Sequence, residues 1–193
     1  GKFLMKILVT GALGHIGSYL IRDLGNHFPG ASVVMIDNMM TQRYSSLFDL
    51  PKNANYEFIE GSVSTMELNE IFNQIDVVVH LAAITDAAGS FDKAAEVEDN
   101  NYISTLKVAD ACLVTGTKLI TLSSTSVYGT QNEIVDEDCS EDELQPQSPY
   151  AETKLKEEEL ISSLCNKKDL KAVTCRFGTI FGISPGMRFH TAV

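Results

Sequence analysis

Six short apolar runs punctuate the chain, at Phe3–Val9, Ser32–Ile36, Tyr56–Ile59, Val77–Leu81, Lys118–Leu122 and Ala172–Phe177. Each is too short for a buried helix and reads as a strand. Between them apolar residues recur at helical spacing: Ile16, Leu20 and Leu24; then Asn101, Thr105, Val108 and Cys112; then the stretch from Tyr150 to Cys165. Strands that are almost continuously apolar lack the in-out alternation of a half-solvated sheet, so both of their faces must be covered. Alternation with helices supplies the cover, because each right-handed crossover lays a helix across the sheet. The pattern predicts an α/β fold: a doubly wound parallel sheet of about six strands with helices on both faces. Ligands of such sheets bind beyond the carboxyl ends of the strands. No repeat or low-complexity linker interrupts residues Lys2 to Ser184, which read as one unit.

Composition narrows the function. The 193 residues, 44% hydrophobic with a mean hydropathy near zero, suffice for one well-buried domain. No run approaches the roughly 18 apolar residues of a membrane span, and the N-terminus lacks the basic and apolar regions of a signal peptide. We expect a cytoplasmic protein, with Gly1 a cloning remnant and Met5 the natural start. Cys112, Cys139, Cys165 and Cys175 are scattered without metal-ligand spacing and read as free thiols, and no metal site is expected. A net charge of -11 argues against a nucleic-acid partner, which needs clustered Lys and Arg. Part of that charge lies in the acidic run Asp136 to Glu143, read as a solvated loop.

The chemistry begins after the first strand, where Gly11-Ala-Leu-Gly14-His-Ile-Gly17 opens a helix. The first glycine permits a tight turn and the second lets backbone approach a pyrophosphate. The third lets helix pack on strand, and the free N–H groups of the helix end bind the anion. Strand before and helix after turn a weak motif into a Rossmann-type dinucleotide site. Asp37, twenty residues after Gly17, ends the second strand, where a carboxylate accepts hydrogen bonds from the adenosine ribose and repels a 2′-phosphate. NAD is therefore expected over NADP. Two alternatives stand beside this: Asp37 as a simple loop cap, and Arg43 as a ligand for the 2′-phosphate of NADP.

Two segments carry a second constellation: Leu122-Ser-Ser-Thr-Ser-Val-Tyr-Gly129, and Pro146-Gln-Ser-Pro-Tyr150-Ala-Glu-Thr-Lys154. Pro149 suits a helix start, and residues four apart share a helix face, so Tyr150 and Lys154 can point together into a cleft. A phenol near pKa 10 is a poor base at neutral pH, and a neighbouring ammonium favours its phenolate. In isolation the same pair would read as a buried tyrosine and a snorkelling lysine on an amphipathic helix whose stripe includes Ile161, Leu164 and Cys165.

These motifs, with His80-Leu-Ala-Ala83, Asn101-Tyr-Ile-Ser-Thr105 and Arg176-Phe-Gly-Thr-Ile-Phe-Gly182, resemble the extended short-chain dehydrogenase/reductases, specifically the NAD-dependent sugar epimerase/dehydratase family. The resemblance covers nearly the whole chain. It implies that Tyr150 moves a hydroxyl proton, that Lys154 lowers its pKa and bonds the nicotinamide ribose, and that Ser124 bonds the same substrate oxygen. Thr125 and Ser126 are alternative hydroxyls, and Tyr128 either lines the pocket or packs. Cofactor contacts are implied for Gly11, Gly14, His15, Ile16, Gly17, Asp37, Asn38, Ser62, Leu81, Ala82, Ala83, Asn101, Tyr150 and Lys154. Ser62 stands where the family usually has an acidic residue for the adenine amino group, and Ser104 where it has glycine. Asn101 either organises the site or satisfies a buried helix, His80 is read as structural, and His15 as a variable position of the loop.

The implied function is an NAD-dependent epimerase or dehydratase acting on a nucleotide sugar by transient hydride transfer. Two alternatives remain: a threonine-dehydrogenase-like oxidoreductase, and an NAD-binding fragment without turnover. Residues 1–184 are expected to form the cofactor domain and 185–193 to begin a truncated substrate domain. A homodimer through the helices of Asn101 and Tyr150 is implied by the same resemblance.

Overall fold

The computed structural model describes residues 4–83, 91–130, 137–140, 144–178 and 180–186. Six strands form one parallel sheet: β1 (Lys6–Thr10), β2 (Ser32–Asp37), β3 (Asn55–Glu60), β4 (Val77–His80), β5 (Lys118–Ser124) and β6 (Ala172–Phe177). Their spatial order is β3-β2-β1-β4-β5-β6. The chain winds outward in one direction through β3, then returns to the centre and winds the other way from β4. The winding reverses between β1 and β4, and that reversal opens a crevice at their carboxyl ends.

Alternate residues of β2 show why both faces needed apolar side chains. Val33 and Met35 join Ile7, Val9 and Val79 beneath Ile21 and Leu24 of α1 (His15–His27). Val34 and Ile36 point the other way, with Leu8, Val78 and Leu119. There they meet Phe72 of α2 (Leu68–Phe72), Val108 and Cys112 of α3 (Phe91–Thr115), and Ile161 and Leu164 of α4 (Pro149–Lys168). The doubly wound α/β fold expected from the sequence is the fold observed.

Strand limits differ from the sequence reading where hydrogen bonding, not hydropathy, sets them. Leu4 is exposed and β1 begins at Lys6, the first residue in register with β2; Phe3 lies outside the described residues. The expected strand at Leu122 continues two residues to Ser124, paired with Phe177 of β6. Leu81 leaves the ladder after His80. Its N–H then donates to the carbonyl and to the hydroxyl of Thr10. α4 starts where expected, with Ser148 accepting from the Ala151 N–H and Pro149 following at the first helical position. Of the acidic run, Glu137 and Asp138 are exposed, and Asp136 and Glu141–Glu143 lie outside the described residues. His190 also lies outside them, as does the remainder of the expected second domain beyond Gly186.

Candidate functional site

At the end of β1 the backbone turns with Gly11 at φ 62, a left-handed conformation in which a side chain would be strained. A Cβ there would stand 2.8 Å from the Leu81–Ala82 backbone, so this glycine lets the loop rest directly on the segment leaving β4. Gly17 plays the close-packing part, since its Cβ would strike the Gly11 carbonyl and Ala12. Gly14 differs: its nearest neighbours would be the Arg43 guanidinium at 3.3 Å and the Gly11 carbonyl at 3.4 Å, and it faces a cleft. Gly14 provides no side-chain cap, and the Ser18 N–H is the first of α1 to reach back to its carbonyl. The N–H groups of His15, Ile16 and Gly17 are thus left at the helix end, a site suited to an anion.

The cleft has a volume of about 780 Å³. Gly11, Gly14, Asp37, Asn38, Arg43 and Ser62, from the half of the chain containing β1 to β3, line it together with Leu81–Ala83, Asn101 and Ser104 from the half that begins at β4. Asp37 accepts from the Leu13 N–H through one oxygen (3.2 Å) and from the Met39 N–H through the other (2.9 Å). It therefore caps the loop, and each oxygen keeps a second acceptor site for a ribose hydroxyl. Ser62 pairs its hydroxyl with that of Ser64 at 2.8 Å. Asn101 is buried at the cleft wall.

A hydroxyl-rich corner follows β5. Ser124 ends the strand and accepts from the Ser126 N–H (3.1 Å) and hydroxyl (2.8 Å), which fixes the 3₁₀ turn Thr125–Tyr128. Ser126 therefore serves Ser124, while Thr125 is exposed. α4 packs on this turn and brings Lys154 to Tyr150, its Nζ 5.8 Å from the centre of the phenol ring. Lys154 is mostly buried and donates to the Leu122 carbonyl at 3.3 Å. A small cavity beside it is lined by Leu81, Ala82 and Ala83, the same residues that border the large cleft. The segment leaving β4 thus borders both the glycine-loop cleft and the small cavity that Lys154 lines, whereas Tyr150 and Ser124 line neither.

Several contacts were not legible in the sequence. Arg176 grips both carboxylate oxygens of Glu158 (2.9 and 2.7 Å) and donates to the Tyr128 hydroxyl at 2.9 Å with its guanidinium over that ring. Tyr128 thus packs against Arg176, and β6, α4 and the Ser124 turn are tied together. The Glu158 carboxylate raises the pKa of the guanidinium still further. His15 bonds the Gly182 carbonyl through Nε2 at 2.9 Å, and the Gly186 N–H donates to the Ser18 hydroxyl at 2.9 Å. Segment 180–186 therefore lies against the start of α1. His80, read as structural, is buried between Thr10 (2.7 Å) and Thr105 (3.2 Å). Burial, with the Lys154 ammonium adding to it, holds its pKa down at about 3.

Comparison with known proteins agrees with this architecture. A UDP-N-acetylglucosamine 4-epimerase from Methanobrevibacter ruminantium M1, solved with UDP-N-acetylmuramic acid, superposes with a TM-score of 0.84 at 30% identity, covering 98% of this chain and 60% of that one. The UDP-glucuronic acid 4-epimerase of Bacillus cereus, solved with NAD, gives a TM-score of 0.81 at 34% identity, covering 96% of this chain and 61% of that one. The dTDP-D-glucose 4,6-dehydratase of Dictyostelium discoideum is 30% identical over 194 residues, 93% of this chain and 45% of that protein. The chain thus spans roughly half to three-fifths of the length of these relatives. Residues 7–193 match the family model described as NAD dependent epimerase/dehydratase. The chain belongs to the NAD-dependent epimerase/dehydratase family.

Proposed function

We propose that the chain binds NAD in the cleft between the glycine loop and the β4 exit, and that the protein it belongs to acts on a nucleotide sugar as an epimerase or dehydratase. One observation carries the reading: a cleft of about 780 Å³ at the winding reversal combines an uncapped helix N-terminus with a carboxylate, and the Leu81–Ala83 segment on its wall also lines the small cavity that Lys154 borders. The residues fit the cofactor. Gly14 leaves room where a pyrophosphate oxygen approaches the His15, Ile16 and Gly17 N–H groups. Asp37 and Asn38 would hold the adenosine ribose, Ser62 would meet the adenine edge, and Asn101 with Ala82–Ala83 would hold the nicotinamide half. When bound, NAD supplies the hydride acceptor and donor.

The chain's own residues handle the proton. Tyr150 removes it from a ring hydroxyl and returns it, Lys154 holds a positive charge beside the phenol, and Ser124 orients the substrate oxygen from the end of β5. The nucleotide-sugar relatives favour this over an amino-acid substrate. Homodimerisation through α3 and α4 and a cytoplasmic location are part of the same proposal. Among the described residues no helix is long and apolar enough to cross a membrane.

Two measurements test it. Calorimetry on the 193-residue chain should show NAD binding at least about tenfold tighter than NADP, since Asp37 repels a 2′-phosphate. Equal affinities, or a preference for NADP that Arg43→Ala abolishes, would remove the role given to Asp37. In the full-length protein, Tyr150→Phe should abolish turnover of nucleotide sugars and leave NAD affinity nearly intact. Wild-type turnover by that variant would place the acid/base elsewhere.

A further inference from the structure

Three residues beyond Lys154 lies a carboxylate that a helix surface does not require. Glu157 is 6% exposed and pairs its Oε2 with Lys154 Nζ at 3.0 Å. Its Oε1 accepts from the Thr105 hydroxyl of α3 at 2.6 Å. A buried carboxylate is costly unless it is both paired and hydrogen-bonded, and this one is both.

The bonds beyond it have a fixed direction. Thr105 spends its one hydroxyl proton on Glu157, so toward His80 it can only accept, and His80 Nε2 must carry the hydrogen. The neutral ring then has an unprotonated Nδ1, which accepts from the Thr10 hydroxyl. Thr10 in turn accepts the N–H groups of Leu81 and Ala82, both at 3.1 Å. The run Leu81/Ala82 to Thr10 to His80 to Thr105 to Glu157 is thus a one-way series of donors ending on a carboxylate. Its far end is the β4 exit on which Gly11 rests.

We propose that Glu157 is the positioning residue of Lys154, anchored through Thr105, His80 and Thr10 to the glycine-loop wall of the cleft. An ammonium has three N–H bonds and no acceptor. Glu157 takes one and the Leu122 carbonyl a second, which leaves the third for the side of Tyr150, whose ring centre lies 5.8 Å away. Two further carboxylates lie nearby, and Glu98 interacts electrostatically with both Lys154 and Glu157, though Glu157 is the one in ion-pair contact with Lys154. Glu98 of α3 bonds Thr153, and Glu158 is held by Arg176. Glutamine at 157 cannot reproduce the arrangement, because an amide has one acceptor oxygen and must turn its NH₂ toward either Lys154 or Thr105.

The inference rests on the proposed NAD site, and a double-mutant cycle on the 193-residue chain separates the two. Calorimetry should show Glu157→Gln weakening NAD binding about tenfold in the wild-type background and less than about twofold in a Lys154→Met background. An equal factor in both backgrounds would show that Glu157 does not act through Lys154. Unchanged NAD affinity with a lowered unfolding midpoint would reduce the pair to a structural one. Thr105→Val should weaken NAD about threefold and Thr105→Ser restore it. That pair, run in both backgrounds, decides the matter if Glu157→Gln does not fold. If the wild-type chain binds no NAD, the cofactor reading fails and the ion pair is read in the midpoints alone. There Glu157→Gln should lower the midpoint of the wild-type chain and raise that of the Lys154→Met variant, in which the carboxylate is left unpaired. The same sign in both backgrounds would overturn the proposal.

Discussion

A neutral imidazole buried with both nitrogens engaged makes His80 a contributor to stability that depends on pH. The unfolded chain takes up this proton below about pH 6.5, whereas the folded chain resists it until about 3, mainly because burial disfavours the charged ring. Since the folded value is the lower one, stability is complete above about pH 6.5 and declines as the pH falls toward 3. At pH 5 the loss from this group is roughly 2 kcal/mol. Urea unfolding at pH 7 and pH 5 should show it, and His80→Gln should flatten that part of the profile. A variant that declines as steeply as wild type would assign the pH dependence to other groups. The sequence already pointed to a structural His80 after a strand of valines. It concealed the partners, because Thr10 and Thr105 are far from His80 in the chain, as is Glu157, which bonds Thr105.

At the scale of elements, the three loop glycines do different work, and alanine separates them. Gly17→Ala drives a Cβ into the Gly11 carbonyl and the Ala12 backbone, so α1 must shift from β1. The expected cost is about 1–3 kcal/mol of stability. Gly14→Ala meets only the end of the Arg43 side chain at 3.3 Å and the Gly11 carbonyl at 3.4 Å. Its stability cost should be about 1 kcal/mol, typical of alanine at a helix cap, whereas NAD should bind about tenfold more weakly if the pyrophosphate sits at Gly14 as proposed. Thermal unfolding with calorimetry on both variants gives the comparison; normal NAD binding by Gly14→Ala would move the pyrophosphate elsewhere. The order of strand, loop and helix was legible because apolar runs and glycine spacing are local signals. α2, at five residues, and the 3₁₀ turn Tyr44–Leu47 were not, since each is too short to show a helical period. The Arg176–Glu158 clamp was also hidden, because β6 and α4 meet only through the crossover that folds one onto the other.

Across the whole molecule, the cleft draws its walls from both directions of winding. Gly11, Asp37 and Ser62 come from the half containing β1 to β3, and Leu81–Ala83 and Asn101 from the half that begins at β4. A ligand held there touches both halves, so it should protect the cooperative unit and not a single loop. For a ligand that binds only the folded state, 100-fold excess over Kd adds about 2.7 kcal/mol. In a chain of this length each kcal/mol raises the unfolding midpoint by about 2–4 °C, so saturating NAD should raise it by roughly 5–11 °C. The rise should continue with the logarithm of NAD concentration, and at equal concentration NADP should give a smaller shift if Asp37 holds the ribose as proposed. Differential scanning fluorimetry over a concentration series decides between the outcomes. An NADP shift equal to that of NAD would remove the selectivity assigned to Asp37. If neither nucleotide moves the midpoint at millimolar concentration, the cleft at the winding reversal does not hold a dinucleotide in this chain.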